Sequence, residues 1–244
     1  MPQSDLIVCV VTGSSGPAWT ALAETAGRRR GVALADVTRD DARDAGQFTL
    51  VGEPESLAAA ARALLVDAVE QGVRVSEVAF VTVGRDRRGS ALETGRQLVS
   101  SVARGLSGLP VPPLRLEARG PQVRFLVELD RDDAALAGRL ALAVSEAGGG
   151  FPGVEARALP PAHGRHAEIE VTLRDPSRTP LVPVFSALEI LSREAGALCL
   201  ATRLFGLAPQ AVVTRSVAED VFMRDFEPRS HQLERVVRGS LAPC

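Results

Sequence analysis

Apolar positions along this chain recur with two periods, and the places where one period gives way to the other define its elements. From Glu168 to Leu173 polar and apolar residues alternate, the period-2 sign of a strand with one buried face. Arg174-Asp175-Pro176-Ser177 is turn chemistry. Thr179-Pro180 then suits a helix start, a hydroxyl for orphan N–H groups followed by a proline whose missing N–H costs nothing there. Leu181, Val184, Phe185, Leu188, Leu191 and Ala195 recur at helical spacing, and Gly196 ends the helix. A second apolar strand, 198–204, runs into Phe205-Gly206-Leu207-Ala208-Pro209.

The same alternation predicts a first unit. Residues 5–11 read as a buried strand, Thr12-Gly13-Ser14-Ser15-Gly16-Pro17 as a turn, and 17–29 as a helix anchored by Trp19. Strands follow at 31–37 and 47–51, separated by 39–45, where five of seven residues are charged and a solvated loop is expected. Glu53-Pro54-Glu55 opens a helix running to Gly72, its glutamates at the positive end. Residues 77–83 complete βαββαβ, trailed by a helix at 90–106. The proline-rich 108–113 suits neither a helix interior nor a central strand; 114–116 pairs at an edge, and Arg119-Gly120-Pro121 is the expected linker.

Beyond the linker the order recurs. A strand at 122–129 precedes a helix capped by Asp132 or Asp133 and stopped by Gly148-Gly149-Gly150. A strand at 154–159 and a hairpin turn at 160–165 lead into the strand, helix and strand read first; a helix at 208–223 trails. The expected fold is α+β, two ferredoxin-like βαββαβ subdomains at 1–118 and 119–244.

Composition narrows the chemistry by what it omits. All 28 basic residues are arginine, and lysine, asparagine and tyrosine are absent. That excludes Schiff-base lysines, a phosphate loop ending in Gly-Lys, a Tyr-Lys reductase pair and a Cys-His-Asn triad. A net charge of −2 argues against nucleic acid and anionic membrane surfaces as partners. No apolar run approaches the roughly 20 residues of a membrane span, and the N-terminus has no basic n-region. Cys9, Cys199 and Cys244 are odd in number and far apart, as expected of reduced thiols in a cytoplasmic protein.

The local motifs are incomplete. Thr12-Gly13-Ser14-Ser15-Gly16 sits where a dinucleotide fingerprint would, but Pro17 and Ala18 replace its later glycines, so a plain turn is the better account; its N–H groups remain able to hold an anion. His163 and His166 have no third ligand at metal spacing, so exposed loop histidines and no metal are expected. His231 reads as solvated, and Arg85-Asp86-Arg87-Arg88 as a solvated turn. No serine lies in a G-x-S-x-G elbow.

One family resemblance runs through the second half in order. Gly148-Gly149-Gly150-Phe151-Pro152-Gly153-Val154 is similar to the GG-L-PGV turn of glutamate formiminotransferases. Thr179-Pro180-Leu181 with Val184-Phe185 resembles their T-P-L-x-x-V-F helix start, and Leu204-Phe205-Gly206-Leu207-Ala208-Pro209 their (I/L)VGLVP element. Phe226-Glu227-Pro228 with Leu233-Glu234 resembles their N-F-x-P…LE tail. The first half aligns through Asp36-Val37, Phe48 to Glu55 and Phe80 to Val83. Its functional segments differ: P-N-F-S-E-G falls on Val11 to Gly16, H-N-R on Arg43-Asp44-Ala45, and the segment of the catalytic histidine is shortened between Glu70-Gln71-Gly72 and Val73-Arg74-Val75.

The resemblance implies two subdomains with helices outside and sheets facing a shared groove, a tetrahydrofolate-type small-molecule ligand, and a homodimer. It leaves Asp36, Arg43, Arg74 and Arg174 as candidate ligand contacts and no assigned catalytic residue. Formimino transfer needs a group exchanging a proton near neutral pH, and histidine suits that task. Glu70, Glu77 or Asp36 would substitute only with a strongly raised pKa. The expectation is a formiminotransferase-like binding or regulatory protein, or one with altered one-carbon transfer. The alternative is an active transferase with an amine or amino-acid acceptor.

Overall fold

The computed structural model describes residues 6–83, 89–159 and 166–241, with Ala42 and Leu241 described by backbone alone. Residues 1–5, the Arg85-Asp86-Arg87-Arg88 run, the 160–165 turn with His163, and Cys244 lie outside the described residues. The chain is a mixed α+β protein with one five-stranded and one four-stranded sheet among the described residues. It divides into two compact units, Met1–Gly120 together with Glu234–Cys244, and Pro121–Leu233.

The first unit runs β1 (Leu6–Gly13), α1 (Ala18–Gly27), β2 (Val32–Asp40), β3 (Ala45–Gly52), α2 (Pro54–Glu70), β4 (Val75–Val83), α3 (Ser90–Gly105) and β5 (Arg115–Arg119). The sheet order is β2-β3-β1-β4-β5. The first four strands are antiparallel, and β5 adds in parallel to β4 at the edge. Alternation along the strands sends Ile7, Cys9, Val11, Phe48, Leu50, Val78 and Phe80 into one core with the apolar stripes of α1, α2 and α3. The opposite positions Val8, Thr49, Val51, Ala79 and Val81 are buried as well. Burial of both faces explains why β1, β3 and β4 read as near-continuous apolar runs.

Trp19 is fully buried in this core, its ring centroid 5.0 Å from that of Phe48. It fits because two cross-strand partners above it, Gly13 and Gly46, have no Cβ. A Cβ on Gly46 would stand 2.5 Å from the indole Nε1, and one on Gly13 2.9 Å from Cζ3.

The solvated loop expected at 39–45 is not there. β2 continues to Asp40 and returns through a single 3-10 turn, Asp41–Arg43, into β3. Arg43 Nη1 lies 2.7 Å from Asp40 Oδ2, with the two side chains only 8% and 5% exposed. Dense charge does not require solvation here, because opposite charges that pair can be buried together.

The second unit runs β6 (Val123–Leu129), α4 (Ala134–Val144), β7 (Val154–Leu159), β8 (Glu168–Leu173), α5 (Leu181–Glu194), β9 (Cys199–Leu204), α6 (Arg215–Asp220) and α7 (Pro228–His231). Its antiparallel sheet, β7-β8-β6-β9, repeats the order of the first four strands of the other unit: second, third, first, fourth. Val123, Phe125, Val127 and Leu129 of β6 and Ile169, Val171 and Leu173 of β8 meet α4 and α5 in one core. Both helices therefore cover the same face of the sheet. Asp133 caps α4, its carboxylate accepting the Leu136 N–H at 2.8 Å.

Three expectations are corrected here. Thr179 does not cap α5: the flanking residue is Pro180, and the Thr179 hydroxyl instead donates to the Pro152 carbonyl at 2.6 Å. That bond ties the helix start to the glycine-rich turn 27 residues earlier. The helix expected at 208–223 shrinks to α6, six residues long, because the Thr214 hydroxyl caps a fresh start by accepting the Val217 N–H. Ala208 meanwhile bridges Gln232, accepting from the Leu233 N–H and donating to the His231 carbonyl. His231 is not simply solvated; it stacks on Phe226 at 5.8 Å and its Nδ1 accepts the Glu227 N–H at 3.0 Å.

The last helix, α8 (Leu233–Leu241), belongs from Glu234 onward to the first unit. No helix among the described residues is long and apolar enough to cross a membrane.

Candidate functional site

Of the four candidate contacts, three lie in the first unit. Asp36 stands in β2 opposite Thr49, half-buried, accepting the Thr38 hydroxyl at 3.0 Å. Arg43 is committed to Asp40. Arg74 is exposed just before β4; its carbonyl accepts the Ser14 N–H at 2.9 Å, and its N–H donates to the Ser14 hydroxyl at 3.3 Å. The Ser15 hydroxyl donates to the Asp40 carbonyl. The turn after β1 thus joins Arg74 to the Asp40–Arg43 pair at one end of the sheet, and three of its groups, the Ser14 N–H and the hydroxyls of Ser14 and Ser15, are spent on that link. Arg174 belongs to the second unit, exposed and ion-paired with Glu155.

The groups considered as replacement proton carriers are dispersed. Glu70 is exposed at the end of α2, while Glu77 pairs with Arg119 at 3.3 Å. His166 is exposed immediately before β8. No group of three or more metal-ligating side chains occurs among the described residues. The two described thiols are poor nucleophiles: burial pushes Cys9 up to about 12. It raises Cys199 too, despite a neighbouring Ser192 hydroxyl at 3.2 Å.

A concave site forms elsewhere, on the face of the second unit's sheet turned away from α4 and α5. The registers β6–β8 and β6–β9 bring Leu126 beside Glu170 and Arg203, and Glu128 beside Glu168 and Ala201. Arg124 and Arg157 both reach Glu170, at 3.4 and 2.7 Å, and Arg203 reaches Glu168 at 3.2 Å. The guanidinium of Arg124 also lies over the Phe205 ring, 5.4 Å from its centroid. At one end of this face a cavity of about 280 Å³ is lined by Leu126, Glu128, Glu168, Ala201, Arg203 and Arg224, with Thr202 and Asp225.

The loop after α6 supplies the far wall. It lies against β9: the Phe222 carbonyl accepts the Thr202 N–H at 3.0 Å, and the Arg224 N–H donates to the Thr202 carbonyl at 2.9 Å. The Thr202 hydroxyl donates to the Val221 carbonyl at 2.8 Å. Phe222 and Asp225 both adopt left-handed backbone, φ +51° and +57°, unusual outside glycine and most unusual for an aromatic residue. This bent loop brings the Arg224 guanidinium 3.1 Å from the Glu128 carboxylate. None of the pocket's charged residues stood out in the sequence. The available signal was the run of polar positions facing away from the core in β6, β8 and β9, which reads equally well as a solvated face.

No family model matches this chain, and no curated protein matches it. Among solved structures it is similar to a microcompartment protein from Desulfitobacterium hafniense, at 14% identity over 83% of this chain and 94% of that one, with a TM-score of 0.30. It is also similar to an unknown protein from Galdieria sulphuraria, at 13% identity over 82% of this chain and 97% of that one, with a TM-score of 0.26. Similarity this low bears on neither fold nor activity.

Proposed function

We propose that this chain is a formiminotransferase-like protein built from two ferredoxin-like units, which binds a folate-type small molecule and has lost the standard transfer chemistry. The supporting observation is the Thr179–Pro152 bond, which joins the two segments that carry the resemblance most fully, the glycine-rich turn and the T-P-L helix start. The loss of chemistry rests on the missing histidine. His166 is exposed, and the Nδ1 of His231 is engaged with the Glu227 N–H.

Tetrahydrofolate fits the candidate contacts unevenly. Its glutamyl tail carries carboxylates that call for exposed guanidinium groups. Arg74 and Arg174 are exposed and suit that role, whereas Arg43 is buried with Asp40. Isothermal titration with tetrahydrofolate tests the reading: saturable heat is expected, and no heat at high micromolar ligand overturns it. An assay with 5-formiminotetrahydrofolate and glutamate should then show no transfer. Turnover would replace the binding role with an active transferase, and His166→Ala would show whether that histidine had taken over the proton transfer.

A further inference from the structure

We propose that the cavity on the face of the second unit's sheet turned away from α4 and α5 is a binding site for a compact organic cation, a guanidinium or primary ammonium on a short apolar stem. The pocket's own walls show the chemistry. Arg224 is a loop guanidinium seated on a sheet carboxylate, Glu128, at 3.1 Å, and it is the exposed member of that pair, 59% against 26%. An exposed ion pair of this kind holds weakly and exchanges readily with a competing cation. Glu168 behaves differently: its side chain is 5% exposed and faces Arg203, so it forms a fixed wall.

The charge balance favours a cation over an anion. Among the described residues, three carboxylates, Glu128, Glu168 and Asp225, line the cavity against two guanidinium groups, Arg203 and Arg224. Both guanidinium groups face carboxylates, while Asp225 makes no ion pair among the described residues. An incoming cation therefore meets Asp225 directly and gains Glu128 by displacing Arg224. Leu126, which is buried, and Ala201 provide apolar surface for the stem. The side chain of Arg224 then acts as an internal competitor, and removing it should strengthen binding.

The test is an amide NMR titration of the full chain with agmatine at physiological salt. The expected result is saturable shifts confined to residues 126–128, 168, 201–203 and 222–226. Arg224→Ala should tighten binding by about two- to fivefold, the competition of one exposed ion pair. Glu128→Gln should weaken it on the order of tenfold, the loss of a charged hydrogen-bond acceptor. Arg193→Ala and Glu189→Gln make the same changes in net charge on α5, which packs against the opposite face of the sheet, and should leave the affinity unchanged. Shifts spread over the surface, equal effects from the control pair, or weaker binding by Arg224→Ala would each overturn the assignment. A tetrahydrofolate titration is read separately, since this cation site stands without the folate reading.

Discussion

Gly46→Ala tests the packing that defines the first unit. Gly46 lies in β3 opposite Gly13 of β1, and an added Cβ would stand 2.5 Å from both Cε2 and Nε1 of Trp19. The indole is fully buried and held against Phe48, so it has little room to withdraw. Overpacking a dense core costs about 1–3 kcal/mol, and exchanging glycine for alanine returns about 0.4–1 kcal/mol through the unfolded chain. Gly46 has no positive φ, so no backbone strain adds to this. The expected net loss is about 1–2 kcal/mol, a fall in urea midpoint on the order of 0.5–1 M. Trp19 is the only tryptophan and there is no tyrosine, so intrinsic fluorescence follows the first unit specifically. Repeating the substitution in Trp19→Leu, read by circular dichroism, removes the obstacle and should shrink the penalty by about 1 kcal/mol. An unchanged midpoint, or the same penalty in both backgrounds, refutes the packing account.

Asp40→Asn should destabilise the first unit by about 1–3 kcal/mol, because it removes a charged acceptor from the buried Arg43; Arg43→Met in the same chain should recover most of the loss. Cys9, with its thiol pushed up to about 12 by burial, should resist iodoacetamide at pH 8 in the folded protein and react fully in urea, as mapped by mass spectrometry. Because the unfolded thiol ionises near 8.5, Cys9 contributes stability below that pH and loses it progressively up to about 12. Asp130 is held below the usual carboxylate range, first by the Arg131 guanidinium and then by the Leu198 N–H. Its stabilising contribution is present above the unfolded value of about 3.9 and is lost as pH falls through the lower folded one. The Leu198 amide should report that titration by NMR and lose it in Asp130→Asn; a midpoint at or above about 3.9 would contradict the assignment.

Most of the elements were legible in the sequence because their information is local. Glu168 to Leu173 alternates whatever lies beside it, and Leu181, Val184, Phe185 and Leu188 form one helical stripe that must be buried somewhere. Local signals failed where two of them competed. Between Ala208 and Met223 the apolar spacing favoured one helix, but Thr214 offered a cap that starts a shorter one. At Thr179 the hydroxyl suited its own helix yet found a closer partner in Pro152. Charge alone was no better a guide at 39–45, since it does not say whether Asp40 meets Arg43 or water.

The sequence by itself determined most of the strands and helices, which stripes turn inward, and which side-chain chemistries the chain has no lysine or tyrosine to perform. Only the tertiary structure decided which charges meet. Arg224 reaches Glu128 across 96 residues of chain, through the register of β9 on β6 and a loop bent by left-handed Phe222 and Asp225. Likewise α8 follows the second unit in sequence but from Glu234 belongs to the first. The physical reason is range: periodicity is set by neighbours three or four residues apart. An ion pair or a docked helix depends on strand register and backbone geometry, which no local pattern encodes.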